Sequence, residues 1–305
     1  MENLPSSAST TSAGRSVPTI LLTGATGTIG TEVSKLLSAA GVPFRALVRS
    51  LQDPKAQQLQ ALPGAELIVG DLNKPETVAS ALIGVERAFL LTNSSEQAET
   101  QQLAFVDLAR QAGVRHLVKL SQWAADRNLP VRFLRYHAVV EEAVRASGMT
   151  YTFLRPNLFM QGLLAFRDSI KTQGQFFAAI GEAKVSAVDV RDIAAAAAAA
   201  LTEPGHENKI YNLTGPEALT HAQIAAKLST ALGKPVRFQD VPPEVMHAAL
   251  LGVGFPVWQA DGLLEDYAHY SREEAATVTN GVQEATGRAP RPFATFAHDY
   301  APAFA

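Results

Sequence analysis

The chain has 305 residues, 47% of them hydrophobic and 18% charged, enough for one large domain or a core with a smaller companion. A formal charge of -3 with no dense basic patch disfavours nucleic acid, and the absence of cysteine excludes disulfides, thiolate metal sites and cysteine nucleophiles. No apolar run approaches the roughly 20 residues that a membrane span requires, so a cytoplasmic protein without a membrane partner is expected.

In chain order, the first segment is "MENLPSSASTTSAGRS", residues 1–16, Ser/Thr-rich and without the apolar centre of a signal peptide. It reads as a disordered tail. From Val17 to Asn157 six short apolar runs follow: "VPTILLTG", "PFRALVR", "AELIVGDL", "RAFLLTN", "HLVKLSQ" and "YTFLRPN". Each ends in a polar or glycine-containing turn, as strands buried on both faces do. Helical stretches separate them, one over Thr28 to Ala40 stopped by Gly41, one from Pro75 to Ile83 stopped by Gly84, and one closed by Ala112-Gly113. The rhythm predicts a Rossmann-type, doubly wound parallel α/β sheet over 17–157.

After Asn157 the pattern changes. "LFMQGLLAFRDSI" predicts a helix, and Gly174 to Gly181 reads as a loop. Residues 184–214 read as strand, helix, strand returning to the core sheet, with Ala194 to Ala200 as a helix whose bare face packs closely. From Thr220 the chain reads as mostly helical, so 158–305 is expected to form a smaller, substrate-side region. No solenoid repeat is present.

The stretch "LLTGATGTIG" carries the strongest chemical signal. Gly24 suits a tight turn, Gly27 a close backbone approach to a pyrophosphate, and Gly30 close packing of the next helix. The loop Gly24, Ala25, Thr26, Gly27, Thr28 and Ile29 would then offer free amides and a helix N-terminus to a diphosphate. The plainer reading is a tight strand-to-helix turn without a ligand. The second strand ends in Arg49 and Ser50, with no carboxylate before Asp53. An acidic residue there would favour NAD; a guanidinium favours the 2′-phosphate of NADP, unless Arg49 is only a solvated surface residue. Asp71, followed by Leu72, is placed either to hydrogen-bond an adenine or to cap its own turn.

With these segments in view, "TGATGTIG", "LVRS", "GDLNKPETVASAL", "GMTYTFLRPNLFMQ", "VDVRDIA", "GHENKIYNLTG" and "TGRAPRPFATFAHDY" together resemble the NmrA-like members of the atypical short-chain dehydrogenase/reductases. The likeness is to bacterial NAD(P)H-dependent reductases of quinones, azo dyes and triphenylmethane dyes. It implies a cofactor of NADP(H), with NAD(H) second and neither metal nor flavin, and a small aromatic substrate in a cleft beside the core, in a monomer or homodimer. It also implies that Thr92 and Asn93 lie beside the ribose and nicotinamide, and that Ser121, Gln122 and Trp123, together with Pro156, Asn157 and Phe159, close the nicotinamide end.

One departure shapes the chemistry. The Tyr-x-x-x-Lys pair usual in short-chain dehydrogenases is absent: by spacing, Phe133 stands at the tyrosine position and His137 at the lysine position, and Tyr136 has no lysine partner. His137 resembles the histidine of the dye and quinone reductases, as a substrate or cofactor contact or as an acid catalyst. Electron-poor acceptors need little acid, so positioning does most of the work. Met160, Phe176, Phe177, Phe255 and Trp258 line the site or belong to the core. Asp189, Arg191 and Asp192 read as helix caps and ion pairs. Glu141 and Glu142, adjacent on a helix, point apart, and Ser121 lacks a nucleophile elbow. The seven histidines show no metal-ligand spacing. Two alternatives to a reductase remain: an NADP-binding sensor without turnover, and an epimerase, which the missing tyrosine disfavours.

Overall fold

In the computed structural model, which describes residues 18–304, all six apolar runs become strands of one parallel sheet. The tail at 1–16 lies outside the described residues. The strands are β1 (Ile20–Leu22), β2 (Phe44–Val48), β3 (Ala65–Val69), β4 (Arg87–Leu90), β5 (His116–Leu120) and β6 (Thr150–Pro156). Beyond them come β7 (Gln175–Ala178), β8 (Lys184–Val185), β9 (Lys209–Leu213), β10 (Leu219–Thr220) and β11 (Arg237–Asp240). The main sheet runs β3-β2-β1-β4-β5-β6-β9. Every residue of β1, β2 and β5 is buried, as continuous apolar runs in a doubly covered sheet must be, while edge strand β3 is only partly covered.

Helices α1 (Thr28–Ala39), α2 (Pro54–Gln60), α3 (Pro75–Ala79), α4 (Ala98–Gln111) and α5 (Arg132–Ala146) connect the first six strands. They are followed by α6 (Arg167–Gln173), α7 (Val190–Thr202), α8 (His221–Leu232), α9 (Pro243–Gly252), α10 (Val257–Tyr270), α11 (Gly281–Thr286), α12 (Phe293–Asp299) and α13 (Ala301–Phe304). The alanine run forms the centre of α7, where Ala194, Ala196, Ala197 and Ala200 pack in one cluster with Val33 and Leu37 of α1. Methyl groups alone at these positions let two helix backbones share one face of the sheet.

Three expectations for the second half need correction. Residues 184–214 return to the sheet only through β9, which lies beside β6; β8 pairs antiparallel with β10 in a separate ribbon. The chain leaves β8 for the Asp189 cap of α7 within four residues, too soon to reach the core sheet. The expected loop at Gly174 to Gly181 contains β7, which pairs in parallel with β11 and buries Phe176 and Ala178. The helix expected from Leu158 begins as a 3-10 turn over Met160–Phe166, with Gly162 inside it, and becomes α-helical only in α6. Glycine in a helix interior costs about 1 kcal/mol, which weakens this stretch.

The side sheets and α8, α12 and α13 enclose a second core containing Met160, Phe176, Leu228, Phe293 and Phe296. Helix α10 connects this region to the main sheet through Asp266, which accepts hydrogen bonds from Gln122, the second residue after β5. Among the described residues no helix is long and apolar enough to cross a membrane.

The close α1–α7 contact tolerates little added volume. Replacing Ala197 with leucine is expected to lower unfolding stability by about 1–3 kcal/mol, read as a lower urea midpoint at unchanged slope. An unchanged midpoint would show that α7 stands off from α1.

Candidate active site

Parallel strands place all their C-terminal ends on one rim, and the sheet order reverses between β1 and β4, which opens the crevice where such sheets bind ligands. The loop after β1 is fixed to the end of β4. The Thr23 hydroxyl donates to the Phe89 and Leu91 carbonyls and accepts from the Leu91 amide at 2.8 Å. Gly24 adopts φ +60°, and a side chain there would collide with Leu91. Gly27 is the N-cap of α1, with no side chain capping the turn. A Cβ on Gly30 would strike the Gly24 carbonyl and the Ala25 backbone, so this glycine fits the helix against its own entry loop.

The consequence is a helix N-terminus brought over the crevice with its first-turn amides uncapped by any side chain. Ala25 and Ile29 are buried and fix the loop from beneath; Gly24, Thr26, Gly27 and Thr28 border solvent. A cradle in which Gly24 and Gly30 leave no room for a side chain is the fit expected for a dinucleotide diphosphate.

Around the same rim, Arg49 follows β2, is exposed, and makes no hydrogen bond or ion pair with any described residue. Ser50 accepts from the Gln52 amide in a local turn. Asp53, the nearest following carboxylate, caps α2 by accepting from the Lys55 amide at 2.9 Å. Asp71 accepts from the amide and side chain of Asn73, so its turn role is realised through Oδ1; Leu72 beside it is half-buried. Thr92 accepts from Gln102 at 2.7 Å, and Asn93 is exposed.

Behind the rim two charged clusters lie side by side. Ser121 donates to Glu141 at 2.6 Å, and Arg155 grips both oxygens of the same buried carboxylate. Although burial opposes ionisation, the Arg155 and Ser121 bonds and the nearby Lys119 ammonium hold Glu141 below the usual carboxylate range. Glu142 points outward to Arg127, confirming that the two glutamates diverge. The second cluster pairs Lys119 with His137: Nζ lies 2.7 Å from Nδ1 and also donates to the Leu120 carbonyl. Burial, then the charges of Lys119 and Arg155, hold His137 well below the ordinary imidazole value, so it is neutral at pH 7. Tyr136 packs on the His137 ring with its hydroxyl near Ser94, and burial raises its pKa further above the ordinary phenol value.

Towards the C-terminal region, Gln122 donates to both oxygens of Asp266 and Trp123 donates to the Glu274 carbonyl, so both belong to the joint with that region. Trp258 lies against Phe133 with Arg132 over its ring. Phe159 and Phe255 are half-buried. Met160 and Phe176 are core, as is Pro156 at the end of β6. The Asn157 side chain is fully engaged, donating to Ser186 and the Ala275 carbonyl and accepting from the Leu158 amide, and its backbone amide donates to the Leu213 carbonyl, which leaves only its own carbonyl for any ligand. Asp189 caps α7 and pairs with Arg191, and Asp192 pairs with Arg291, as expected for structural carboxylates. A cavity of about 650 Å³ beside Ile180, Glu182, Asp240 and Pro243 is lined by none of these residues.

The model of the NmrA-like family matches residues 17–286. The chain belongs to the NmrA-like family. This NmrA-like chain is 42% identical over 285 residues to the NAD(P)H azoreductase of Xenophilus azovorans, covering 93% of this chain and 99% of the relative. It is 39% identical over 287 residues to the (4-alkanoyl-5-oxo-2,5-dihydrofuran-3-yl)methyl phosphate reductase of Streptomyces griseus, covering 94% and 99%. Among solved structures, the Escherichia coli NADPH-dependent quinone oxidoreductase complexed with NADPH superposes with a TM-score of 0.81 at 30% identity, covering 92% of this chain and 99% of that one.

Three residues of the NmrA-like site escaped the sequence reading: Thr23, Lys119 and Asp266. Burial pushes the Asp266 carboxyl up to about 7, only partly offset by the Gln122 amide. A carboxyl raised in the folded state is destabilising once ionised, so its effect is absent below its unfolded value near 4 and grows as pH rises towards 7. The penalty at pH 8 is at most ~4 kcal/mol, at about 1.4 kcal/mol per unit. Asp266→Asn is therefore expected to gain stability relative to the parent between pH 5 and pH 8 in urea unfolding; a difference independent of pH would contradict the raised value.

Proposed function

We propose a specific activity for this chain, which is an NAD(P)H-dependent reductase: it uses NADPH to reduce an electron-poor, conjugated acceptor such as a quinone, an azo compound or a cationic dye. The observation that carries this reading is the glycine-built cradle at the β1/β4 crevice with Arg49, which pairs with no described residue, at the end of the neighbouring strand. Once bound, the cofactor supplies a hydride from its nicotinamide ring.

The chain's own residues hold and orient. Backbone amides of the Gly24 to Ile29 loop bind the diphosphate, with the α1 dipole behind them. Arg49, with Ser50, takes the 2′-phosphate, and Asp53 is held away in the cap of α2. Asp71 and Leu72 face the adenine, and Thr92 and Asn93 the riboses. Ser121, Pro156 and Asn157 shape the nicotinamide end through their backbone, since their side chains are engaged or buried. Phe159, Phe255, Trp258, Gln122 and Trp123 bound the acceptor, while Met160 belongs to the second core beside them.

Acid strength is scarce at this site. His137 is neutral and Tyr136 is buried with a raised pKa, so neither is a strong acid at neutral pH. Acceptors that take hydride readily suit such a site better than an unactivated ketone. The cysteine-free chain would work in the cytoplasm, as a monomer or homodimer.

Pure protein mixed with NADPH and a panel of quinones, azo dyes and triphenylmethane dyes is expected to consume the nicotinamide absorbance well above background. Tight NADPH binding with no oxidation by any acceptor would instead favour a nucleotide sensor. Arg49→Ala is expected to lower the NADPH-over-NADH affinity ratio on the order of 10- to 100-fold, the value of one charge-assisted contact of roughly 1.5–3 kcal/mol. An unchanged ratio would remove Arg49 from the phosphate site.

A further inference from the structure

Lys119 is a lysine in the middle of the sheet, fully buried on β5 and in register with Leu90 of β4 and Phe153 of β6. Strand alternation turns it to the Leu117 face, which α4 and α5 cover. A buried lysine without a task is rare, because desolvating an ammonium is costly. Its Nζ reaches Nδ1 of His137, itself buried, at 2.7 Å. While Lys119 is an ammonium, which has donors only, the contact makes Nδ1 the acceptor and leaves the imidazole proton on Nε2. That Nε2 makes no hydrogen bond with any described residue, and His137 retains only a small exposed fraction.

We propose that Lys119 is the proton reservoir of the site, acting through His137: it fixes the Nε2-protonated tautomer and resupplies the proton that Nε2 gives to the reduced acceptor. The inference rests on the reductase reading. Reduction of an azo bond or a quinone consumes one hydride and one proton. As hydride reaches one atom of the acceptor, the other heteroatom takes the proton from His137 Nε2; that N–H bond breaks while Nδ1 takes a proton from the Lys119 ammonium. Imidazole ends neutral with the opposite tautomer, Lys119 ends as a neutral amine, and both are restored from solvent after product leaves. A neutral histidine thereby donates a proton without first becoming imidazolium, which its surroundings forbid.

The groups facing this pair are few. Glu141 and Arg155 act on Lys119, and Lys119 and Arg155 act on His137. Glu141 is already satisfied by Arg155, Ser121 and Arg145, so it does not capture the lysine. Burial brings the Lys119 ammonium down to about 7, which makes its proton available at neutral pH.

A cationic triphenylmethane dye separates proton supply from everything else, because hydride alone converts the carbocation to the neutral leuco form. In Lys119→Met, kcat for an azo dye and a quinone at saturating NADPH should fall at least 10-fold, with kcat for the cationic dye within twofold of the parent. The parent's azo and quinone kcat should decline as pH rises through about 7, where the ammonium is lost. That decline should be absent in Lys119→Met and moved to higher pH in Lys119→Arg. Removing a buried charge in favour of a similar-sized apolar chain is often neutral or stabilising, so the methionine variant should fold. Independently of turnover, 15N NMR of the histidine-labelled chain, with His137 assigned by its loss in His137→Gln, should show the Nε2-protonated tautomer below pH 7 and a mixed one in Lys119→Met. Equal slowing of all three acceptors, or an Nδ1-protonated imidazole in the parent, would overturn the proposal. Failure of every acceptor with the parent would sink the reductase reading instead, with the tautomer still deciding the Lys119–His137 contact.

Discussion

The absence of a side chain at Gly30 is the constraint on which the rest of the site depends. Any Cβ there strikes the Gly24 carbonyl and the Ala25 backbone, so only glycine lets the first turn of α1 rest on the loop it grows from. The Thr23 hydroxyl, bonded to both Phe89 and Leu91, then holds that loop to the end of β4. These contacts place the uncapped amides of α1 over the gap where the strand order reverses. The positions of Arg49, Asp71, Thr92 and Asn93 follow from parallel pairing, which delivers each strand's last residue to the same rim.

Behind that rim the protein buries more charge than its core needs. Glu141 is neutralised by Arg155 and held by Ser121, an arrangement that is saturated and hence structural. Lys119 and His137 form a different kind of pair, in which neither partner is a permanent charge at neutral pH and one ring nitrogen bonds to no described residue. Asp266, gripped only by Gln122, joins α10 to the loop after β5 and so couples the C-terminal region to the edge of the cleft. On the proposed reading, the site positions an acceptor and offers a mild proton, in place of the tyrosine and lysine that reduce ordinary ketones.

Much of this was legible in the sequence because it is written locally. Each of the six strands is a short apolar run with a turn at its end, and the glycine spacing and the missing acidic residue after β2 need no partner to be read. The alanine run declares its own helix. The parts that were not legible depend on distant residues. β7 was hidden in "GQFFAAIG" because its partner β11 lies some sixty positions on, and a strand of four residues in a side sheet has no periodicity of its own. β8 was assigned to the wrong sheet because two residues carry no register. Asn157 and Gln122 looked available until Ser186, Ala275 and Asp266 were seen to occupy them. Lys119 had a signal, a lysine inside "HLVKL", a run otherwise read as fully buried; a charge in such a place asks for a partner, and His137 eighteen positions later is that partner.

Calorimetric titration of the full chain with NADPH, beside the same titration of Gly30→Val, addresses the diphosphate cradle most directly. The account predicts saturable binding of one NADPH per chain, stronger than that of NADH, and its loss in the variant even where circular dichroism shows the sheet and helices intact. Absence of heat with both nucleotides, or undiminished binding by the folded valine variant, would contradict it.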